Sequence, residues 1–377
     1  MTTTTSSSVT LLSEDEIYRT SSQYRLWSFS PEKLAAQRKK THELAIERIA
    51  TQPTDGSTEH GQYLSEEQEL RLVQRYCEQI RATNDHFKWP VNVKYLRRFY
   101  LSNSVMTYPP KEIYKTALFL ACKTEATHMT LSEYARRISS KPEEILAPEY
   151  KLMQALRFTL DVRQPFRGLK GVLMELLNMV EGLPQPSLKD ALLALSGPSD
   201  GSATAWTMPR VGATEAKHIQ DRVQAAYAAS RTILDNQALM TDVYFLYTPA
   251  QILHAAMYRA DPELTDFYIS TKLSAAEPAR PRIMAAIQSC AEILGAFDKS
   301  SVLTKDERAE LEAKLERCRD ASTRDMVEHH LAKKIGDGLE DEDKARRRQA
   351  ERERSEKEGH DLFGPSLMSN GTNVSKG

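Results

Sequence analysis

The sequence predicts a protein built from packed α-helices, and three observations carry that reading. First, Ala117-Leu118-Phe119-Leu120-Ala121-Cys122 is a run too apolar to keep any face in water. No β-branched residue interrupts it, and Ile113, Ala117, Leu120 and Ala121 fall at helical spacing, so it reads as a buried helix rather than a buried strand. Pro109 and Pro110 stand just before it, where a helix start tolerates proline, and Lys123 closes it at the end of the dipole that favours a cation. A helix apolar on every side is the centre of a bundle. Second, capping signatures recur: Ser65 with Gln68, Thr130 with Glu133, Thr248 with Gln251 and Thr304 with Glu307. Third, apolar residues return at steps of three and four through most of the chain.

In order, residues 1–13 are rich in Thr and Ser and read as disordered. Residues 14–50 form an N-terminal helical extension. There Ser30 and Pro31 read as a cap and first-turn pair rather than a proline-directed phosphosite. Leu34, Thr41, Ala45 and Ile49 give the helix that follows a narrow apolar side, so it lies on another surface. Beyond a Gly/Pro/Asp linker from Thr51 to Gly61, Leu70, Val73, Cys77 and Ile80 share the stripe of the next helix. A short helix starts at Thr130 and ends near Ser139. Ile145, Glu149, Leu152 and Leu156 then share one stripe, in which Glu149 is the anomaly, a carboxylate in line with core residues. Pro148 just before it implies a late start or a bend.

Phe166 to Val180 reads as a further helix. Ser196 to Thr214, with its Gly, Pro, Ser and Thr, reads as a mobile loop. Ile219, Val223, Ala226, Tyr227 and Leu234 resume helical spacing, and Pro249 opens another helix behind Thr248. Ile283, Ile287, Cys290 and Leu294 mark one more, and Leu311, Leu315 and Cys318 the next. From Gly336 the chain is charged. Lys344 and Arg346-Arg347-Arg348 lie among acids, so this reads as a solvated mixed-charge tail rather than a nuclear-import patch.

A length of 377 residues suffices for two domains with cores of their own. A formal net charge of -1 gives no global footprint for nucleic acid. MTTTTSSSVT lacks the basic and apolar parts of a signal peptide, and no run approaches the ~20 apolar residues that span a bilayer. The expectation is a soluble intracellular protein with no direct nucleic-acid or membrane partner. Cys77, Cys122, Cys290 and Cys318 lie far apart and read as reduced structural thiols. Walker, GxGxxG, HExxH and GxSxG motifs are absent, and the histidines are scattered. His329 and His330 would leave a helix about 100° apart, awkward for sharing a metal. The reading is therefore a non-enzyme with no cofactor and no metal.

Arg97-Arg98-Phe99-Tyr100-Leu101-Ser102-Asn103-Ser104-Val105, followed by Phe119-Leu120-Ala121-Cys122-Lys123, resembles the first cyclin box of the cyclin H family. The likeness extends through Ser21-Ser22-Gln23, Trp27, Phe29, Leu156-Arg157-Phe158-Thr159-Leu160 and Pro165. It continues through Leu239 to Pro249 and Lys314 to Cys318, so it covers about Ser21 to Cys318. It implies an all-α fold of two tandem cyclin boxes, five-helix bundles at 62–161 and 162–278, the second with an inserted loop at about 183–214 that leaves Trp206 without a role. Flanking helices would occupy 14–50 and 279–335, with a disordered tail at 336–377. It also implies a regulatory subunit that binds and activates a cyclin-dependent kinase catalytic subunit of the kinase-activating, transcription factor IIH type. Such a subunit acts in the nucleus beside a RING-finger assembly subunit and the transcription factor IIH core. It supports phosphorylation of the RNA polymerase II tail and of kinase activation loops.

Lys123 and Glu149 match the family's lysine and glutamate at the kinase-facing ends of the third and fifth helices of the first box. Trp27 and Phe29 match an N-terminus that packs near the kinase. Taken without the resemblance, Lys123 is a helix-end charge and Glu149 a first-turn acid. The hydrophobic substrate-docking signature of cell-cycle cyclins is not recognisable in the first helix of the box. The alternative, a cyclin-fold transcription adaptor of the transcription factor IIB type with no kinase partner, would carry a zinc ribbon and basic helix faces; the chain has neither. Between Phe87 and Tyr95 the chain is shorter than the family's run, by about 10 Å of helix. The second helix of the box would then cover only part of the Ile113–Cys122 helix and leave a gap, unless the natural protein has further residues near Val93.

Overall fold

The computed structural model describes residues 14–52, 63–89, 93–125, 127, 129–196, 215–298, 300, 302–333 and 349. The expectations for residues 1–13, for Trp206 and for nearly all of the charged tail lie outside them. The chain divides after Thr323; the second unit holds a helical stretch at 326–333, and the first carries all the other regular elements. Among the described residues these are helices, with no strand.

The N-terminal extension is α1 (Glu14–Thr20), α2 (Ser22–Trp27) and α3 (Pro31–Ala50). Ser30 caps α3 by accepting the Lys33 N–H, and Leu34, Ala45 and Ile49 form its buried side. The first bundle is α4 (Glu66–Phe87), α5 (Lys94–Phe99), α6 (Pro110–Thr124), α7 (Leu131–Arg137), α8 (Pro142–Leu146) and α9 (Glu149–Ala155). The capping box of Ser65 and Gln68 starts α4, and α6 is buried on every side from Thr116 to Cys122. Helices α4, α5, α8 and α9 surround it. On α4, Leu72 and Tyr76 join Val73, Cys77 and Ile80 in the core, while Leu70 is 38% exposed. Leu70 therefore sits at the margin of the stripe, which is centred one step further round.

The shortened second helix leaves no open gap over α6. Among the described residues only Lys94–Phe99 is helical there, yet Ile113 and Ala117 stay fully buried. An aromatic ladder helps to close the space. Phe87 stacks on Trp89 at 4.5 Å, Trp89 on Tyr134 at 5.4 Å, and Tyr134 meets Phe119 of α6 at 4.8 Å. Lys88, in the left-handed conformation at the end of α4, turns the chain so that Trp89 reaches this stack.

The second bundle follows as α10 (Phe166–Val180), α11 (Pro186–Leu193), α12 (Glu215–Asp235), α13 (Gln237–Met240), α14 (Val243–Leu246), α15 (Pro249–Ala260), α16 (Pro262–Lys272) and α17 (Arg280–Ala296). Thr248 and Gln251 form the capping box that starts α15, around which α10, α12, α16 and α17 pack. Gly168 permits the close approach of α10, since a Cβ there would meet Leu253 Cδ1 at 2.7 Å. Part of the expected inserted loop is thus helical, as α11. Helix α17, expected among the C-terminal flanking helices, packs on α15 as the fifth helix of this bundle.

Helix α18 (Lys305–Cys318) does not extend the second bundle but returns to the first, packing on α4. Tyr76 donates to Glu312 at 2.5 Å, Lys314 to Gln68 at 3.0 Å and Arg319 to Glu112 at 2.9 Å. The Asp320 N–H reaches Met106 O at 2.8 Å, and its carboxylate takes Arg48 and Gln52 from the end of α3. Both terminal extensions are therefore fastened to the first bundle.

A candidate partner-binding site at the ends of α6 and α9

Lys123 and Glu149 lie 26 positions apart in sequence, and packing of α6 on α9 brings them together. Helix α8 stops at Leu146 and α9 starts afresh at Glu149, behind Pro148. That break places the Glu149 carboxylate at a helix N-terminus, while Lys123 occupies the last turn of α6. Each charge stands at the dipole end that favours it. Lys123 Nζ donates to Glu149 Oε1, and the ammonium also lies 4.8 Å from the centre of the Phe119 ring. The pair is not buried, with side chains 43% and 23% exposed. Two ammonium N–H groups and the second carboxylate oxygen are not used in that bond, so the pair presents donors and an acceptor side by side. Beside Lys123 opens a hollow of ≈ 440 Å³ lined by Thr127, Met129, Thr130 and Glu133.

Two large apolar side chains in the same stretch escape the sequence pattern. Tyr150 is 68% exposed and Phe158 61% exposed. Phe158 follows α9 in a turn where Arg157 and Phe158 both adopt positive φ, 53° and 54°, secured by the Phe158 N–H to Met153 O at 3.0 Å. A non-glycine residue in that region costs roughly 1 kcal/mol or more, and such residues gather at functional sites. Nothing in the sequence marks Phe158 as exposed; its apolar type and place beside a helix would put it in the core.

Trp27 and Phe29 do not join this surface. Trp27 is 3% exposed, which leaves it no face for a partner. Its indole N–H donates to Thr159 Oγ1 at 2.9 Å, and the guanidinium groups of Arg98 and Arg157 lie 4.8 Å and 5.5 Å from its ring. Phe29 donates its N–H to Phe245 O at 2.8 Å and meets the Phe245 ring edge-on. With Leu34, Leu101 and Phe245 they form one cluster. Trp27 is an internal anchor, and the partly buried Phe29 packs against the same cluster, so together they fasten the N-terminal extension across both bundles.

The relative placement of the bundles rests on α5, whose basic residues are buried rather than solvated. Arg97 donates to Met240 O at 2.9 Å and to Asp242 at 2.5 Å; Arg38 of α3 grips the same carboxylate at 2.6 Å and 2.8 Å. Burial raises the Asp242 carboxyl, but hydrogen bonds and charge from Arg38 and Arg97 outweigh it and bring the pKa down to about 2. Among the described residues, no group of three His, Cys, Asp or Glu could hold a metal ion, and no helix is long and apolar enough to cross a membrane. The four cysteines are buried and free.

Two tandem helical bundles, each packed round one central helix (α6 and α15), with a charged pair at the exposed ends of two first-bundle helices, define a cyclin-fold protein. Residues 69–161 match the family model for the cyclin N-terminal domain, and residues 164–295 that for the cyclin C-terminal domain. The chain is similar to one in the CAK complex of Chaetomium thermophilum bound to ATP-gamma-S, at 32% identity and a TM-score of 0.68, covering 86% of this chain and 96% of that one. Cyclin CCL1 of Saccharomyces cerevisiae is 28% identical over 290 residues, 72% of this chain, and the match spans 65% of the yeast protein's length. A chain of the yeast TFIIK (Kin28/Ccl1/Tfb3) complex aligns with a TM-score of 0.53 at 28% identity, over 74% of this chain and 100% of that one. Cyclin-H1-1 of Arabidopsis thaliana is 29% identical over 180 residues, 41% of this chain and 54% of that protein. The chain belongs to the cyclin H family.

Proposed function

We propose that this protein is the non-catalytic regulatory subunit of a cyclin-dependent kinase of the kinase-activating, transcription factor IIH type. The observation that carries the reading is the Lys123–Glu149 pair: half-exposed, fixed by two helix ends, with the exposed Tyr150 next to Glu149 on α9 and the exposed Phe158 just past the far end of that helix. Exposed apolar rings beside unspent hydrogen-bonding groups are what a protein interface requires. The Lys123 ammonium donates to backbone carbonyls of the kinase, Glu149 accepts backbone N–H groups, and the two rings supply buried apolar area. Interface free energy spent on the active arrangement of the kinase αC helix shifts the kinase population toward it. That arrangement aligns the lysine–glutamate pair needed for phosphoryl transfer. A ligand can shift such an equilibrium only by its difference in affinity for the two states, so weakening the pair lowers binding and activation together.

The yeast complex named above contains Kin28 and Tfb3 beside Ccl1. By that analogy the chain also binds a RING-finger assembly subunit, joins the transcription factor IIH core and acts in the nucleus. Affinity purification of the endogenous protein, followed by mass spectrometry and a kinase assay, tests the assignment. Recovery of a cyclin-dependent kinase and a RING-finger subunit, with kinase activity lost when this chain is depleted, is the expected result. A purified chain that carries no kinase, or a kinase equally active without it, overturns the reading.

A further inference from the structure

The turn between α7 and α8 carries a serine that the packing does not explain. Ser139 is exposed and holds a φ of 51°, where an L side chain is strained and glycine is the ordinary choice. Its N–H lies 3.4 Å from Arg136 O, and the Ser140 N–H reaches Ala135 O at 2.9 Å, so the turn closes α7. Among the described residues nothing bonds the Ser139 hydroxyl. Ser140 is differently placed: its hydroxyl donates to Glu144 at 2.6 Å and accepts from Lys115 Nζ at 2.9 Å. Arg136 and Arg137, both exposed, form the last turn of α7 just before the site. Arg137 pairs with Glu133 at 2.5 Å, and Glu133 lines the hollow beside Lys123. Arginines at the third and second positions before a free serine hydroxyl are the charge pattern that a kinase with an acidic substrate groove selects.

We propose that Ser139 is a phosphorylation site for a serine kinase that selects basic residues before its target, and that the phosphate weakens the Lys123–Glu149 surface. The second part rests on the reading of that surface as the site for the cyclin-dependent kinase. In the modification the γ-phosphoryl group of ATP passes to Ser139 Oγ. The new O–P bond forms as the bond from the γ-phosphorus to the bridging oxygen breaks, ADP leaves, and the hydroxyl proton goes to the base of the modifying kinase. Such a kinase holds its substrate extended, so 136–140 must leave the last turn of α7. A seven-residue helix ending in a strained turn opens readily. The phosphate brings about −1.5 to −2 charges and competes with Glu133 for the Arg137 guanidinium. Glu133, released, faces Lys123 across the hollow and draws its ammonium away from Glu149 and from a partner's carbonyls.

The test begins with the full chain, the catalytic subunit of cAMP-dependent protein kinase as probe, and magnesium ATP, the product being mapped by mass spectrometry. A phosphate on Ser139 is expected, retained in Ser140→Ala and absent in Ser139→Gly, a replacement that suits the positive φ. Arg136→Gln with Arg137→Gln should slow the modification by about ten-fold or more. No phosphate on Ser139, or an equal rate in the arginine variant, overturns the site. Titration of the cyclin-dependent kinase subunit with phosphorylated and unmodified chain then reads the consequence. The Kd should rise about three- to ten-fold on phosphorylation, and Glu133→Gln should abolish the difference. Equal Kd values, or a difference that persists in Glu133→Gln, overturn the proposed effect on the surface. Failure of the underlying reading shows separately, as a wild-type Kd in Lys123→Ala/Glu149→Ala, and leaves the mass of the Ser139 phosphopeptide unchanged.

Discussion

Replacing Asp242 by Asn removes one carboxylate that three parts of the molecule share, and the consequence can be worked from its surroundings. Its carboxyl lies at about 2 against an ordinary 3.8, a shift that corresponds to about 2 kcal/mol of folded-state stability at neutral pH. A carboxyl depressed in the folded state stabilises above its unfolded value and loses that contribution as pH falls through the folded one. The wild-type advantage over Asp242→Asn should therefore be full above about pH 5 and fall by about 1 kcal/mol between pH 6 and pH 3. At neutral pH the total loss should exceed the linkage figure, because Arg97, with a side chain 7% exposed, keeps its charge after its partner is gone. Breaking a buried pair in that way typically costs about 3–5 kcal/mol. Urea unfolding of both proteins at pH 7, 5 and 3 measures the difference. A gap below about 0.5 kcal/mol, within the ordinary range for surface substitutions, would refute the assignment of this carboxylate as the clasp between the bundles. So would a gap that does not narrow toward pH 3.

Three further outcomes follow from the packing. Trp89→Ala should cost about 3–5 kcal/mol by opening the ladder over α6, read from denaturant midpoints; a cost near zero would mean the shortened second helix covers α6 unaided. Thr248→Ala should lower stability by about 1 kcal/mol through loss of the α15 capping box, with Thr248→Ser restoring it. A chain ending at Leu303 should lose several-fold in proteolytic resistance of α4 compared with one ending at Lys333, because α18 and Arg319–Thr323 brace the first bundle. Equal resistance would make the returning helix dispensable.

Much of this fold is legible in the sequence, and the parts that are not share a cause. Local chemistry marks the helix starts: Ser30, Ser65, Thr248 and Thr304 cap as their neighbours predict, and α10 spans Phe166–Val180 as read. The all-round apolar character of α6 identifies the centre of the first bundle. Glu149 betrays itself as a carboxylate in a core stripe, with Pro148 announcing the break that places it. What escapes is whatever depends on partners distant in sequence. Nothing local shows that Lys94, Arg97 and Arg98 are buried, because Gln164, Asp242 and Thr159, which receive them, lie far along the chain. Trp27 reads as available for a partner until Thr159 and two arginines enclose it. The exposure of Phe158 depends on a left-handed turn that its residue types give no reason to expect.

The central claim is that the paired ends of α6 and α9 bind the kinase, and a binding measurement tests it most directly. Isothermal titration of the purified kinase catalytic subunit with wild type and with Lys123→Ala/Glu149→Ala, both verified as folded by circular dichroism, gives the two Kd values. Truncating desolvated charged contacts at an interface costs about 2–5 kcal/mol, so the double variant should bind about 30-fold to several thousand-fold more weakly and activate the kinase in proportion. A folded double variant with the wild-type Kd would contradict the account.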